Sequence, residues 1–242
     1  MFKGILMNYN RNILTLIGFG ILSVGSILQA EAMDVLENPI LEINRVHNAI
    51  KIDGNLTELE WGKAKGTDYF LEIEPGENII PAEKTEVKVA YDDQNLYVAF
   101  WAFADPEDIR ASYQNRDRAW MDDFVAIFLD TYGDANAGTM IGSNPYGIQM
   151  DALNNGNGND DPSFDLVYKS QGKITDEGYQ VEMAIPFSSL SFPDNEVQEW
   201  KVGFYRSLPR EKRSQIVWGG FDRTNPCFLC QMGTLKGIQG IK

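Results

Sequence analysis

Residues 87–104, VKVAYDDQNLYVAFWAFA, establish the fold class of this chain. Side chains alternate in strand fashion from Val87 to Tyr91, a turn-forming group follows at Asp92-Asp93-Gln94-Asn95, and alternation resumes from Leu96 to Ala104. The alternate positions of this second segment are apolar or aromatic on both faces. We therefore expect two strands joined by a turn, the second of them central in a sheet and covered on both sides.

Segments of the same kind recur along the rest of the chain. They lie at Phe124–Leu129, Tyr179–Ile185, Trp200–Tyr205, Gln215–Trp218 and Thr234–Ile238. Polar residues alternate with apolar ones from Tyr179 to Ile185, which predicts a half-buried strand there. Helical patterns are confined to Leu56–Lys65 and to the turn Phe187–Leu190, whereas parallel sheets need a crossover helix between strands. The sequence therefore predicts an all-β fold, a single antiparallel β-sandwich domain of the jelly-roll or immunoglobulin-like type.

The N-terminus has the three-part layout of a secretory signal peptide. Lys3 and Arg11 precede an apolar stretch from Ile13 to Leu28, and Ala30-Glu31-Ala32 forms a cleavage pattern. An uncleaved membrane anchor is the alternative, although about 16 residues are short for a bilayer span. We expect a signal peptide at 1–32, a lead-in at 33–49 and the sandwich at 50–242. Export would take the protein to the periplasm, the outer membrane or the extracellular space.

The charge of the chain bears on its partners. Its 35 acidic residues exceed its 21 basic ones and give a formal net charge of −14. Such a surface repels phosphate backbones, so no nucleic-acid partner is expected. The same charge suits a neutral ligand or a divalent cation.

The two cysteines, Cys227 and Cys230, have C-x-x-C spacing. In an exported protein this pair predicts a disulfide that closes a small loop. A redox motif would lie at the start of a helix, and haem attachment would need a histidine where Gln231 stands. Two cysteines without a nearby histidine are also too few for a structural zinc site.

The sequence offers little for catalysis. His47 is the only histidine, and a lone histidine is more often structural than catalytic. Glycoside hydrolysis needs two carboxylates at a defined separation. In a chain with so many acidic residues some pair always looks suitable, so the sequence cannot identify a catalytic pair. No glycine-rich phosphate loop, H-E-x-x-H motif or EF-hand pattern is present. The chain by itself is therefore predicted not to be an enzyme.

A polar segment at residues 154–161, NNGNGNDD, offers oxygen ligands for a hard cation. No cofactor is expected apart from a structural calcium ion, which Asn157, Asn159, Asp160 and Asp161 could hold. The alternative is an ordinary surface loop, because Asn and Gly favour turns without any ion.

Trp120 is the aromatic residue that the sequence singles out. It lies between Arg116-Asp117-Arg118 and Asp122-Asp123, just before an apolar strand, whereas Trp101 and Trp200 lie within strands and are expected to pack in the interior. Aromatic rings exposed at the rim of a sandwich stack on the C–H faces of sugars. Trp120 is therefore a candidate contact platform at such a rim, with a locally buried anchor as the alternative.

Several motifs resemble the family-nine carbohydrate-binding modules, in the order in which that family has them. They are Ile52-Asp53-Gly54 with Glu60-Trp61, residues 87–93 with Leu96-Tyr97-Val98, residues 123–130, DFVAIFLD, and residues 178–186, GYQVEMAIP. The resemblance covers about residues 50–240. It implies a jelly-roll sandwich, sugar binding and calcium that is structural rather than catalytic.

The resemblance also indicates where a sugar would bind. In sugar-binding members two tryptophans sandwich a terminal sugar, and Trp120 matches the first of them. The second falls near Asn225-Pro226, where Phe228 is the available aromatic residue. A glutamate and an arginine of the family site match Ala126 and Gly142, so this chain has only part of that site.

A subgroup shares further motifs with the chain. Residues 116–118, 122–123, 144–147, 206–210 and 230–233 resemble the N-terminal sandwich of large bacterial envelope proteins of unknown function. That resemblance implies a polar site beside Trp120 that consists of Arg116, Arg118, Arg206 and Arg210, paired with Asp122, Asp123 or Asp151. The alternative is that these arginines form salt bridges that support loops.

Together these features predict a non-catalytic module that binds a saccharide or glycan. Trp120 would stack on the sugar, with Tyr146, Gln149 and Asn225 as polar contacts. The predicted role is in carbohydrate catabolism. The rival interpretations are an envelope interaction or assembly domain with a protein partner, and an accessory domain of a glycoside hydrolase system.

Overall fold

The computed structural model describes residues 38–155 and 160–242. The predicted signal peptide therefore lies outside the described residues and stays a prediction. Within those ranges one short helix, α1 (Leu59–Lys63), accompanies fourteen strands. The strands are β1 (Ile40–Glu42), β2 (Lys65–Thr67), β3 (Phe70–Glu74), β4 (Thr85–Tyr91), β5 (Asn95–Phe103), β6 (Phe124–Asp130), β7 (Gly138–Ser143), β8 (Gln149–Asn154), β9 (Asp160–Asp161), β10 (Lys169–Thr175), β11 (Gly178–Pro186), β12 (Val197–Pro209), β13 (Arg213–Trp218) and β14 (Gly233–Gln239). Single 3₁₀ turns lie at Pro106–Asp108, Phe187–Ser189 and Leu229–Gln231.

The strands form two sheets that pack face to face. The larger sheet has the order β1-β14-β12-β6-β7-β8-β9, with β13 and β3 attached beside β12. The smaller sheet has the order β10-β11-β5-β4-β2. Every pair is antiparallel except β1 with β14, so the predicted antiparallel sandwich is confirmed.

Strand β12 organises the larger sheet because it is long enough to pair with three neighbours. Residues 197–202 pair with β14 and residues 205–209 with β13, while β6 lies along the other edge at residues 201–207. A strand has only two edges, so β14 and β13 follow one another along the same edge. The larger sheet thereby acquires a second branch, β13 with β3, that widens it at one end.

The core between the sheets is built by the alternation of side chains. Val125, Ile127 and Leu129 on β6 face Phe100 and Val181 of the smaller sheet within one cluster of buried residues. Their burial removes apolar surface from water, which is the main force that stabilises such a sandwich. The intervening residues of β6 face the opposite side of the larger sheet.

The outer face of the smaller sheet is covered by the N-terminal segment. Val46, Ile50 and Trp61 pack on Tyr97 and Ala99 of β5. Strand β5 lies between β11 and β4 and is buried on both faces, which confirms the prediction for a central, doubly covered strand.

The prediction that β11 is half-buried was wrong. Glu182 on its expected solvent face is fully buried, because its carboxylate accepts hydrogen bonds from the backbone N–H groups of Asp53 (3.0 Å) and Gly54 (2.7 Å) and from Nε1 of Trp61 (2.8 Å). Burial raises the pKa of Glu182, and these three donors oppose that shift. Gly54 has a φ of +81°, which favours glycine at this close approach.

The described part of the segment predicted as a lead-in, from residue 38 to residue 49, packs on the sandwich. Strand β1 pairs with β14, and Leu41, Ile43 and Val46 are buried in the two clusters that flank the smaller sheet. Residues 40–46 thus pack with the strands that follow residue 50. No helix in the described part of the chain is long and apolar enough to cross a membrane.

Candidate ligand-binding cleft

The outer face of the larger sheet carries a second apolar cluster, separate from the core. Phe124, Ala126 and Phe128 on β6 face outward because their neighbours face the core. Met140 on β7 and Met150 on β8 continue the cluster across the sheet, with Trp120, Tyr205 and Phe228 packed against it. The outer face of an antiparallel sheet is usually polar, so this apolar face is a candidate site for a ligand.

An open cleft of about 360 Å³ lies over this face. This volume is within the range of small-molecule sites, roughly 300–1,000 Å³. The apolar residues that line it are Ile73, Trp120, Phe124, Phe128, Met140, Phe221 and Phe228. The polar ones are Asn154, Asp160, Tyr205 and Gln215.

Six aromatic rings that line the cleft form a chain of contacts. Trp120 meets Phe124 edge-on with ring centres 6.0 Å apart, and Phe124 lies 5.6 Å from Tyr205. Tyr205 lies 6.1 Å from Phe128, which in turn lies 4.9 Å from Phe228. Phe228 lies 5.7 Å from Phe221, which ends the chain. Trp120 and Phe228 therefore belong to one aromatic chain that begins at Trp120.

The charged loop before β6 holds Trp120 in place. The Asp122 carboxylate accepts hydrogen bonds from the backbone N–H of Ser112 (2.9 Å) and from Nδ2 of Asn144 (2.9 Å). The backbone N–H of Arg110 donates to Asp123 at 2.9 Å. Asp122 and Asp123 thus anchor the loop, and Trp120 is half-buried where it lines the cleft. The cleft lies on the outer face of the sheet rather than at the predicted rim of the sandwich.

The opposite end of the cleft is formed by the cysteine loop. Cys227 and Cys230 are joined by a disulfide, and Phe228 lies between them. Leu229 is fully buried beneath it. The loop that carries Phe221 is held by Asn78. Nδ2 of Asn78 donates to the carbonyl of Phe221, and the N–H of Phe221 donates to Oδ1 of Asn78, both at 2.8 Å.

Two predicted polar contacts, Arg116 and Gln149, bind each other instead of lining the cleft. Nη1 of Arg116 donates to Oε1 of Gln149 at 3.0 Å, and the guanidinium also contacts the buried Asp151. Burial raises the pKa of Asp151, which the contact with Arg116 opposes. The carboxylates of Asp117, Asp151 and Asp165 form the one acidic cluster close enough to share a metal in the described part of the chain, and Arg116 pairs with all three.

The expectation that Arg206 contacts the ligand beside Trp120 needs correction. Its side chain is fully buried on the core side of β12, where it pairs with Glu83 at 3.1 Å and donates to the carbonyl of Phe103 at 2.8 Å. Its guanidinium also lies 5.5 Å from the centre of the Tyr179 ring. Arg206 therefore supports the edge of the sandwich, which is the alternative that the sequence left open.

The other predicted contacts also lie apart from the residues that line the cleft. Tyr146 stacks on the exposed ring of Tyr113 at 4.2 Å between ring centres. Arg118 and Asn225 are exposed, and the Asn225 side chain accepts from the N–H of Cys227 at 3.0 Å. Asn225 thus belongs to the loop that carries Phe228.

The calcium prediction falls partly outside the described residues, because Asn157 and Asn159 are not among them. Asp160 accepts a hydrogen bond from Nδ2 of Asn154 at 2.8 Å. Asp161 accepts from the N–H and the hydroxyl of Ser163 at 3.0 and 2.6 Å. A calcium ion in this loop stays a prediction.

Sequence reasoning missed most of the residues that line the cleft. Phe124 and Phe128 are four positions apart on a strand and so share its outer face, a pattern that the apolar run at Phe124–Leu129 concealed. Gln215 and Ile73 come to the cleft only through the branch of β13 and β3, which the sequence does not signal.

The fold and the cleft define this chain as an antiparallel β-sandwich with a cleft lined by aromatic residues on one sheet. A family model described as carbohydrate family 9 binding domain-like matches residues 52–214. Since that match covers most of the chain, the protein belongs to this family.

Solved structures share the fold at low sequence identity. A candidate carbohydrate-binding protein from Bacteroides uniformis ATCC 8492 is 16% identical with a TM-score of 0.66, over 84% of this chain and 100% of that one. A family 9 carbohydrate-binding module from Caldicellulosiruptor kristjanssonii with bound cellotriose is 18% identical with a TM-score of 0.57, over 84% and 93% of the chains. A family 9 carbohydrate-binding module from the same organism with bound glucose is 19% identical with a TM-score of 0.54, over 83% of this chain and 95% of that one. No curated protein matches the sequence.

Proposed function

We propose that this protein is a non-catalytic module that binds a saccharide in the cleft on the larger sheet. The observation that carries the proposal is that Trp120 and Phe228 line one open cleft of about 360 Å³ and belong to the same chain of aromatic rings. Sugar rings present flat C–H faces that pack on aromatic rings, while their hydroxyl groups bind polar side chains around the ring edge.

The family supports a carbohydrate as the ligand. The chain belongs to a carbohydrate-binding family, and modules of that family bind cellotriose and glucose in the structures from C. kristjanssonii. Polar side chains for hydroxyl groups stand on both sides of the cleft, with Asn154 and Asp160 on one side and Tyr205 and Gln215 on the other. A net charge of −14 also suits a neutral ligand better than an anionic one.

The composition of the cleft supports binding rather than hydrolysis. Glycoside hydrolysis uses two carboxylates across the scissile bond. Among the described residues that line the cleft, Asp160 alone carries a carboxylate, and it accepts a hydrogen bond from Asn154. A role in carbohydrate catabolism would then depend on a partner that supplies the catalysis.

A glycan array with the mature protein tests this proposal. Saccharides bound by the wild type are titrated against the Trp120→Ala variant, with Tyr132→Ala as the control, because Tyr132 is 59% exposed but does not line the cleft. We expect Trp120→Ala to weaken binding at least tenfold, about 1.4 kcal/mol, because the stacking surface is removed. Tyr132→Ala should bind like the wild type.

Two results would contradict the proposal. Full affinity in a folded Trp120→Ala variant would place the binding site elsewhere. The absence of any bound glycan would favour the rival role, an envelope interaction domain with a protein partner.

A further inference from the structure

The floor of the cleft is apolar across its full width. The strand order β13-β12-β6-β7-β8-β9 puts Tyr205 and Gln215 on one side and Asn154 and Asp160 on the other. Between them, β6 and β7 supply Phe124, Phe128 and Met140, which are 6%, 8% and 4% exposed. Every polar side chain that lines the cleft in the described part of the chain therefore stands at its sides.

Met140 is the residue that makes the middle of the floor apolar. A side-chain carbon added at Gly142 would lie 3.2 Å from the terminal methyl carbon of Met140 and 3.3 Å from the Cβ of Ala126. The terminal methyl group of Met140 therefore lies beside Gly142, in the same buried cluster as Ala126. Because Ala126 and Gly142 are also cross-strand partners, their small size leaves the space that Met140 fills.

A ligand hydroxyl pressed onto this floor would lose its hydration without gaining a partner, because Phe and Met side chains offer no strong donor or acceptor. Unsatisfied buried polar groups are expensive, whereas a methyl group in the same place gains from burial. The floor thus discriminates between ligands by what they carry on the side that faces the sheet.

We propose that the cleft selects saccharides that turn an apolar substituent toward the sheet, with the C-methyl group of 6-deoxyhexoses as the simplest case. This inference rests on the proposed saccharide function and specifies the chemical class of its ligand. The hydroxyl groups of such a sugar would bind Asn154 and Asp160 on one side and Tyr205 and Gln215 on the other. Its methyl group would lie on Met140 between Phe124 and Phe128.

Matched sugar pairs that differ by one hydroxyl test the inference by calorimetric titration of the mature protein. The pairs are 6-deoxy-D-glucose with D-glucose, L-fucose with L-galactose, and L-rhamnose with L-mannose. We expect the deoxy member of at least one pair to bind tenfold or more tightly than its partner, and this binding to be lost in Trp120→Ala. The variant Met140→Gln, similar in size but polar, should reduce the ratio toward one, with its fold checked by thermal melting.

The outcomes separate this inference from the function on which it rests. Trp120-dependent binding of saccharides with equal affinity within every pair, or tighter binding of the hydroxylated members, overturns the inference and leaves the proposed function intact. A deoxy preference that persists in Trp120→Ala overturns it as well, since the selective site would then lie elsewhere. No Trp120-dependent binding of any saccharide overturns both. The affinity ratios of the wild-type protein within each sugar pair decide between these outcomes whether or not Met140→Gln folds.

Discussion

Tyr205 occupies the middle of the aromatic chain, and its surroundings keep it neutral. Burial raises the pKa of its phenol to about 12. The ring packs against Phe124 and Phe128, which reduces the solvation of a phenolate, while a hydrogen bond with the Ser207 side chain partly opposes the rise in pKa. A neutral phenol can both donate to and accept from a sugar hydroxyl group.

The raised pKa predicts how binding depends on pH. Because the phenolate forms only near pH 12, the protonated side chain persists throughout the neutral and mildly alkaline range. We expect saccharide affinity to be constant between pH 7 and pH 10 in calorimetric titrations. A loss of affinity with a midpoint between pH 8 and pH 10 that disappears in Tyr205→Phe would contradict this account of the residue.

Arg206 shows the limit of assigning a site from neighbours in sequence. It directly follows Tyr205, yet successive residues of a strand point to opposite faces, so Tyr205 lines the cleft and Arg206 enters the interior. The register of β12 decides which of the two reaches the ligand, and a shift of one residue would exchange them. The motif 206–210 was recognised in the sequence, but its side of the sheet was not.

The N-terminal signature segment acts as a covering element for the smaller sheet. Asp53, Gly54 and Trp61 all donate to the single carboxylate of Glu182 on β11, so the motifs that the sequence displayed at residues 52–54 and 60–61 meet on one strand. Trp61 is 1% exposed, and its indole N–H is one of the three donors that compensate the burial of this charge.

Removal of one donor tests this role. We expect Trp61→Phe to lower the free energy of unfolding by about 1–3 kcal/mol, because a buried carboxylate loses a partner. Trp101→Phe is the control, since Trp101 packs in the same cluster but is only partly buried. The pKa of Glu182 is already raised, so the carboxylate is protonated more readily in the folded state and the loss should be smaller at pH 4 than at pH 7. Urea denaturation of both variants at pH 4 and pH 7 measures these losses of stability. Equal losses in Trp61→Phe and Trp101→Phe would contradict the role of Trp61.

Strands were predictable from the alternation of apolar side chains within each segment. The strands and segments that pack on them were not, because they lie far away in the sequence. The central position of β5 follows from two apolar faces, which the sequence displays directly. The exposure of β11 was misjudged, because the segment that covers Glu182 lies more than 120 residues away in the chain. Strand β1 was missed because only three residues form it and because its partner, β14, lies almost at the other end of the chain.

The cleft is a property of the whole sandwich rather than of any segment. Its lining comes from β3, β6, β7, β8, β9, β12 and β13 and from the loops that carry Trp120, Phe221 and Phe228. The sequence could nominate Trp120 and Phe228 as two ends of a site from the family resemblance. It could not show the apolar floor between them, which depends on how β6, β7 and β12 are ordered in the sheet.

A crystal structure of the protein with a saccharide selected from the glycan array examines the central claim at the level of the complex. The account predicts a sugar ring on the outer face of the larger sheet, in contact with Trp120 and Phe228, with its hydroxyl groups toward Asn154 or Asp160 and toward Gln215. A sugar bound at the Tyr113–Tyr146 stack, or anywhere away from the aromatic chain, would contradict it.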